Sequence, residues 1–167
     1  MIVLGIDPGS RACGYGVVEE VSGCLRVLDV GCIRNSNEPL PRRLGKIMNE
    51  LETVIRYNAP TTMAIEKVFM AKNPQSALTL GHARGAAICA GVRHDLDIVE
   101  YAATEIKKAL VGRGHADKEQ VQHMVKVILD YHGVLGMDSS DALACAICHL
   151  HHLQGQRHLQ KLGAARA

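Results

Sequence analysis

Aromatic side chains are nearly absent from this 167-residue chain: Phe, Trp and Tyr make up 3% of it, with one Phe and no Trp. A core built on ring stacking is excluded, so the 47% of apolar residues must pack as an aliphatic core. Net charge is almost absent too, at a formal +2. That balance offers no global argument for a nucleic-acid partner, and only a local concentration of charge can make one. No apolar run approaches the roughly 18 residues that a bilayer span requires, so no membrane role is expected. The start, Met-Ile-Val-Leu-Gly-Ile-Asp, has no basic leader and reaches a carboxylate at position 7, unlike a signal peptide. The protein is expected to be cytoplasmic, with its six cysteines as reduced thiols. There is no internal repeat, low-complexity segment or linker, and the length suits one domain.

Apolar patterning supplies the elements. Residues 2–6, 14–20 and 24–33 read as three strands of a meander, with a hairpin turn at Ser22-Gly23. Leu40, Leu44, Ile47, Leu51, Val54 and Ile55 recur at three- and four-residue steps, a helix over 40–57 that Asn58-Ala59-Pro60 stops. A strand at 61–66 follows. Pro74 opens a helix running to about 93. Next come a strand at 97–101, a short helix at 103–111, a helix around Val121–Leu129, and a last helix from near Asp138 to about His152. The polar tail from Gln154 is expected to fray. The sum is one α/β domain with a mixed sheet.

Four acids abut apolar runs: Asp7 in Gly-Ile-Asp-Pro-Gly-Ser, Glu66 in Met-Ala-Ile-Glu-Lys-Val-Phe, and Asp138 and Asp141 in Met-Asp-Ser-Ser-Asp-Ala-Leu-Ala. A buried carboxylate is costly unless paired or bound to metal. Asp7 and Glu66 end strands expected to be neighbours, while Asp138 and Asp141, three apart at a helix start, share a face. Oxygen donors alone suit Mg²⁺ or Mn²⁺, and two such ions support in-line phosphodiester hydrolysis. Singly, each acid has a plainer reading. Asp138 and Asp141 suit a helix cap and first turn, and Asp7 before Pro-Gly suits a turn. Together they favour a metal-dependent nuclease.

With these segments in place, the chain resembles the RuvC family of bacterial Holliday-junction resolvases. The likeness lies in Gly-Ile-Asp-Pro-Gly-Ser-Arg with Gly14-Tyr15-Gly16, in residues 64–73 and 76–85, in Glu100-Tyr101-Ala102, Ile106-Lys107-Lys108 and Lys118-Glu119-Gln120-Val121, and in Asp-Ser-Ser-Asp-Ala-Leu-Ala. It spans about residues 1–150. It implies a ribonuclease-H-like mixed five-stranded sheet flanked by helices, over a nuclease domain at 1–153 with a flexible tail at 154–167. It further implies a homodimer and Mg²⁺-dependent paired nicking of four-way DNA junctions that leaves 5′-phosphate and 3′-hydroxyl ends. The RuvA–RuvB branch-migration complex is the implied partner. Asp7, Glu66, Asp138 and Asp141 match the family's catalytic, metal-holding carboxylates.

Lys107, Lys108, Arg113 and Lys118 outnumber Glu105 and Asp117 within residues 101–118, a local surplus equal to that of the whole chain. Lys67 and Lys72 flank the loop after Glu66. Basic groups beside an acidic site serve a phosphodiester substrate, although any single lysine also suits a solvated face. By resemblance, Lys107 and Lys118 contact the backbone near the scissile phosphate. Phe69 is expected to stack on an unpaired base, with a core anchor as its alternative. The small residues from Gly81 to Gly91 allow close helix approach, either within the fold or at a dimer interface.

Two rival functions remain. An actin-like or sugar-kinase-like ATPase shares the Gly-Ile-Asp-Pro-Gly-Ser loop but needs two such domains. A catalytically idle junction-binding module has no need of all four acids. Cys145-Ala-Ile-Cys148-His149 matches a haem-attachment pattern. It sits inside an apolar helix, so neither haem nor zinc (on Cys145, Cys148 and His152) is expected. Buried thiols beside a solvated histidine cluster are the plainer reading.

Overall fold

The structure is a computed structural model that describes residues 1–68 and 73–164. Phe69 and Lys72 therefore lie outside the described residues. Three strands, β1 (Ile2–Asp7), β2 (Ala12–Val21) and β3 (Cys24–Arg34), form an antiparallel meander. The β2–β3 turn places Ser22 and Gly23 at φ 52° and 86°, the doubly left-handed geometry that matches hairpin twist. α1 (Leu40–Asn58) follows and ends at Ala59 in a left-handed cap, just before Pro60. β4 (Thr62–Glu66), α2 (Pro74–Val92) and β5 (Asp97–Tyr101) add two strands parallel to β1. α3 (Ala103–Val111), α4 (Lys118–Ile128) and α5 (Met137–Ala164) complete the chain.

The sheet order is β3-β2-β1-β4-β5. Alternation along β1 divides the core in two. Leu4 and Ile6 face α1 and α2, packing with Ile47, Leu51, Ile65 and Ala87. Val3 faces the other way, with Val18, Ala64, Leu143 and Ile147. Each fully buried Leu or Ile contributes about 1.5–3 kcal/mol, so an aliphatic core of this kind suffices without aromatic rings. α2 begins where expected because Pro74 takes the first turn and Asn73 caps it, its Oδ1 accepting from the Gln75 and Ser76 amides.

α5 departs from expectation at its far end. It continues as helix to Ala164 rather than stopping near His152. Residues 154–162 are mostly good helix formers, and Arg157 pairs with Glu20 of β2 at 2.9 Å. The histidines differ as well. His149 is buried, and its Nδ1 meets the Tyr101 hydroxyl at 2.9 Å. Cys145 and Cys148 are buried as expected.

Candidate active site

Strand parity carries Asp7 to its place. Val3, Gly5 and Asp7 alternate onto the α5 side of the sheet, as Ala64 and Glu66 do on β4. The parallel register pairs Gly5 with Ala64 and Ile6 with Ile65, so Asp7 and Glu66 are the next step along the same edge. Asp7 pairs with Gly14, and Gly14 with Cys32. On the other side Glu66 pairs with Tyr101. Cys32, Gly14, Asp7, Glu66 and Tyr101 thus form one row across all five strands.

α5 lies over this row because glycines let it. A Cβ added at Gly5 would collide with the Ala142 carbonyl, and one at Gly14 with the Asp138 carbonyl. At Gly16 it would strike the Leu143 side chain. Small residues on both partners bring the α5 backbone almost onto the sheet, with Asp138 above the glycine paired to Asp7. Ser139 Oγ donates to the Gly31 carbonyl at 2.9 Å and fixes the register of this docking. Asp138 lies within the first turn of α5 rather than at its cap.

All four acids converge electrostatically. Burial pushes Asp7 up to about 7, and the charges of Asp141, Glu66 and Asp138 push the same way. Glu66 is raised chiefly by burial and then by Asp141, while Lys118 and Lys107 oppose the shift. Lys118 Nζ donates to Asp141 Oδ2 at 2.8 Å, and this bond raises the lysine. Among the described residues no three His, Cys, Asp or Glu side chains stand at metal-holding spacing. Like charges oppose closer approach, and Asp141 is already engaged by an ammonium. The donor set nonetheless fits a hard divalent cation: it is all carboxylate, and the raised Asp7 and Glu66 gain most from added positive charge.

Two clefts meet at Glu66. One, of about 160 Å³, is lined by Glu66 and Asp141 together with Lys107 and Lys118. The other, of about 210 Å³, is lined by Asp7, Pro8, Glu66, Lys67 and Val68. Lys107 and Lys118 therefore stand beside the acids. Lys108 does not. It lines a separate cleft with Glu105, His151 and His152.

Sequence reasoning missed Cys32. Its thiol lies 3.6 Å from Asp138 Oδ2 and donates to it across 106 positions of sequence. No local pattern marks such a contact. The only available signal was the strand parity that places Cys32 in the row of Gly14 and Asp7.

A mixed sheet in this order, sandwiched between helices, with carboxylates at the ends of its central strands and on the covering helix, defines the ribonuclease-H-like nuclease class. The family model for crossover junction endodeoxyribonuclease RuvC matches residues 3–149. The RuvC of Methylococcus capsulatus is 53% identical over 91% of this chain and 92% of its own. That of Acinetobacter baylyi is 51% identical over 90% and 83%. The chain belongs to the RuvC family of crossover junction endodeoxyribonucleases. Thermus thermophilus RuvC in complex with a Holliday junction substrate superposes with a TM-score of 0.87 at 32% identity, over 93% of this chain and 96% of that one. A yeast mitochondrial Holliday junction resolvase, 10% identical, shares the fold with a TM-score of 0.71.

Proposed function

We propose that this protein cuts four-way DNA junctions by metal-assisted phosphodiester hydrolysis, with Asp7, Glu66, Asp138 and Asp141 as its catalytic, metal-holding residues. The observation that carries this reading is the meeting of the acids at one sheet edge, with Glu66 and Asp141 in a cleft that Lys107 and Lys118 also line. Mg²⁺ or Mn²⁺ bound there, two ions per site, would activate the attacking water and neutralise charge on the phosphate and leaving oxygen. The chain's own part is positional. β1 and β4 hold Asp7 and Glu66 rigidly, α5 brings the aspartate pair down onto them, and Lys107 and Lys118 receive phosphate oxygens. Lys118, bonded here to Asp141 Oδ2 at 2.8 Å, would exchange that bond for one to a phosphate oxygen. The products are 5′-phosphate and 3′-hydroxyl ends.

Symmetric nicking calls for two sites, hence a homodimer, and α2 supplies a face for it. Ala83, Ala87, Ala90 and Gly91 are buried in internal packing. Around Gly81 and Gly85 an added Cβ would meet nothing. With exposed Leu78, Cys89 and Val92 these glycines form a stripe along the outer side of the helix. The RuvA–RuvB complex is the partner that family membership suggests, and the cytoplasm is the matching compartment. No described helix is long and apolar enough to cross a membrane.

Incubation with a synthetic four-way junction and a matched linear duplex, with and without Mg²⁺, tests the reading. Nicks paired across the junction, dependent on Mg²⁺ and absent from the duplex, are expected. Binding without cleavage would leave an idle junction-binding module in its place.

A further inference from the structure

A second basic cleft lies on the far side of the acids. It has a volume of about 490 Å³ and is lined by Ser10, Arg11, Arg43, Gln75, Ser76 and Thr79, among others. Leu80 lines both this cleft and the one at Asp7, and Glu66 joins that one to the cleft of Lys107 and Lys118. These shared residues set the three clefts in series, with cations lining both outer ones and acids between. Among the described residues no acidic side chain lines the arginine end, so its charge is not cancelled locally.

Arg43 is held in place rather than waving free. Its Nη1 reaches Ser10 Oγ at 3.3 Å and the Ser10 carbonyl at 3.5 Å. Asn35 Nδ2 grips the same carbonyl at 3.0 Å, so the loop after Asp7 is pinned from two sides. The Arg43 Nε is buried and, among the described residues, has no partner. An unsatisfied buried donor of this kind is costly, and an anion in the cleft would relieve it. Arg11 is exposed beside it, with no side-chain bond of its own among the described residues. The hydroxyl of Ser76 adds a donor at the start of α2, while that of Thr79 already donates to the Gln75 carbonyl at 2.9 Å.

We infer that this cleft binds the phosphodiester backbone of the DNA strand on the side of the scissile phosphate opposite to Lys107 and Lys118. This rests on the proposed nuclease reading and extends it to a second phosphate-gripping subsite. Guanidinium groups suit the role because their planar donors match phosphate oxygens in pairs. The strand then lies across the acids, held at both ends.

Salt dependence of junction binding tests it, measured in EDTA so that no cutting intervenes. Removing one cation–phosphate pairing makes the negative slope of log K against log salt shallower by about 0.9. Arg11→Gln and Arg43→Gln should each weaken binding about tenfold at 0.15 M salt and each make the slope shallower by about one. Arg43→Lys, which keeps the charge, should restore most of the slope. Wild-type affinity and slope in both glutamine variants would overturn the inference. So would weaker binding at unchanged slope, since that marks a structural role. A wild-type protein that binds junctions but never cuts them would instead refute the nuclease reading and leave this measurement standing.

Discussion

At the residue scale Asp7 is the most exacting test. Its carboxyl titrates near 7 in the fold against 3.8 in an open chain. The folded protein therefore binds the proton more tightly than the unfolded chain, and stability falls as pH rises from about 4 through 7. Asp7→Asn removes that cost. In EDTA the variant should be more stable than wild type at pH 8 by about 2–4 kcal/mol, with the gap closing toward pH 4. A gap that does not widen with pH in thermal melts would contradict a buried, uncompensated Asp7. Mg²⁺ should raise the melting temperature of the wild type but not of the variant, which should still bind junctions without cutting them. Cys32 is the quieter case. Its thiol occupies one oxygen of Asp138, which leaves the other free to aim at the site. Cys32→Val should raise the Mg²⁺ needed for half-maximal cleavage about tenfold, whereas Cys32→Ser, which keeps a donor, should not. Equal Mg²⁺ requirements in the two variants would remove the positioning role. The four acids stood out in sequence because each abuts an apolar run, a local anomaly. Cys32 did not, because a cysteine in a strand is ordinary until the sheet pairs it with Gly14.

At the element scale the decisive object is the seat of α5. That Asp7 and Glu66 end neighbouring strands was expected from the sequence, while the register that sets them side by side came from the structure. How closely the last helix approaches was not readable from sequence, because a glycine in a strand can equally mark a bulge or a weak strand. Only the packed structure shows Gly5 and Gly14 lying under the carbonyls of Ala142 and Asp138. Gly5→Ala sets a methyl against backbone that cannot rotate away, so α5 must lift. A loss of about 1–3 kcal/mol is expected, with cleavage falling further than stability because two of the proposed catalytic acids ride on that helix. Gly45→Ala is the contrast: it lies within α1 with nothing near an added Cβ, and should gain about 0.5–1 kcal/mol. Urea midpoints for the pair decide the matter, and similar losses in both would mean the close seat is not under strain. The far end of α5 escaped sequence reasoning for a different reason. Its polar composition resembles a tail, and its helix rests on favourable propensity and on Arg157 reaching back to Glu20, a partner 137 positions away.

At the scale of the whole molecule, one chain carries one acid site, and a junction has two strands to cut. The outer stripe of α2 (Leu78, Gly81, Gly85, Cys89 and Val92) runs at three- and four-residue steps, as a helix–helix contact does. It also borders a mainly apolar cleft of about 590 Å³ lined by Val68, Pro74, Ala77 and His82. The residues that pack inward and those that remain outward were indistinguishable in sequence, where Gly81 to Gly91 read as a single small-residue run. The structure separates them, and what remains outward suits a second copy meeting the same stripe across a two-fold axis. Leu78, 59% exposed, can be changed without touching the core. Leu78→Asp places a charge on each side of that axis and should convert a dimer into a folded monomer at micromolar concentration. The monomer should retain its acid site and nick a junction on one strand at a time, so the two cuts lose their pairing while single-strand nicking persists. Light scattering gives the mass, and a supercoiled cruciform plasmid gives the pairing, since coupled cuts yield linear product directly and uncoupled cuts pass through the nicked circle. A Leu78→Asp protein that still scatters as a dimer would move the interface off α2, and one that is monomeric yet makes paired cuts would separate dimerisation from the symmetry of cleavage.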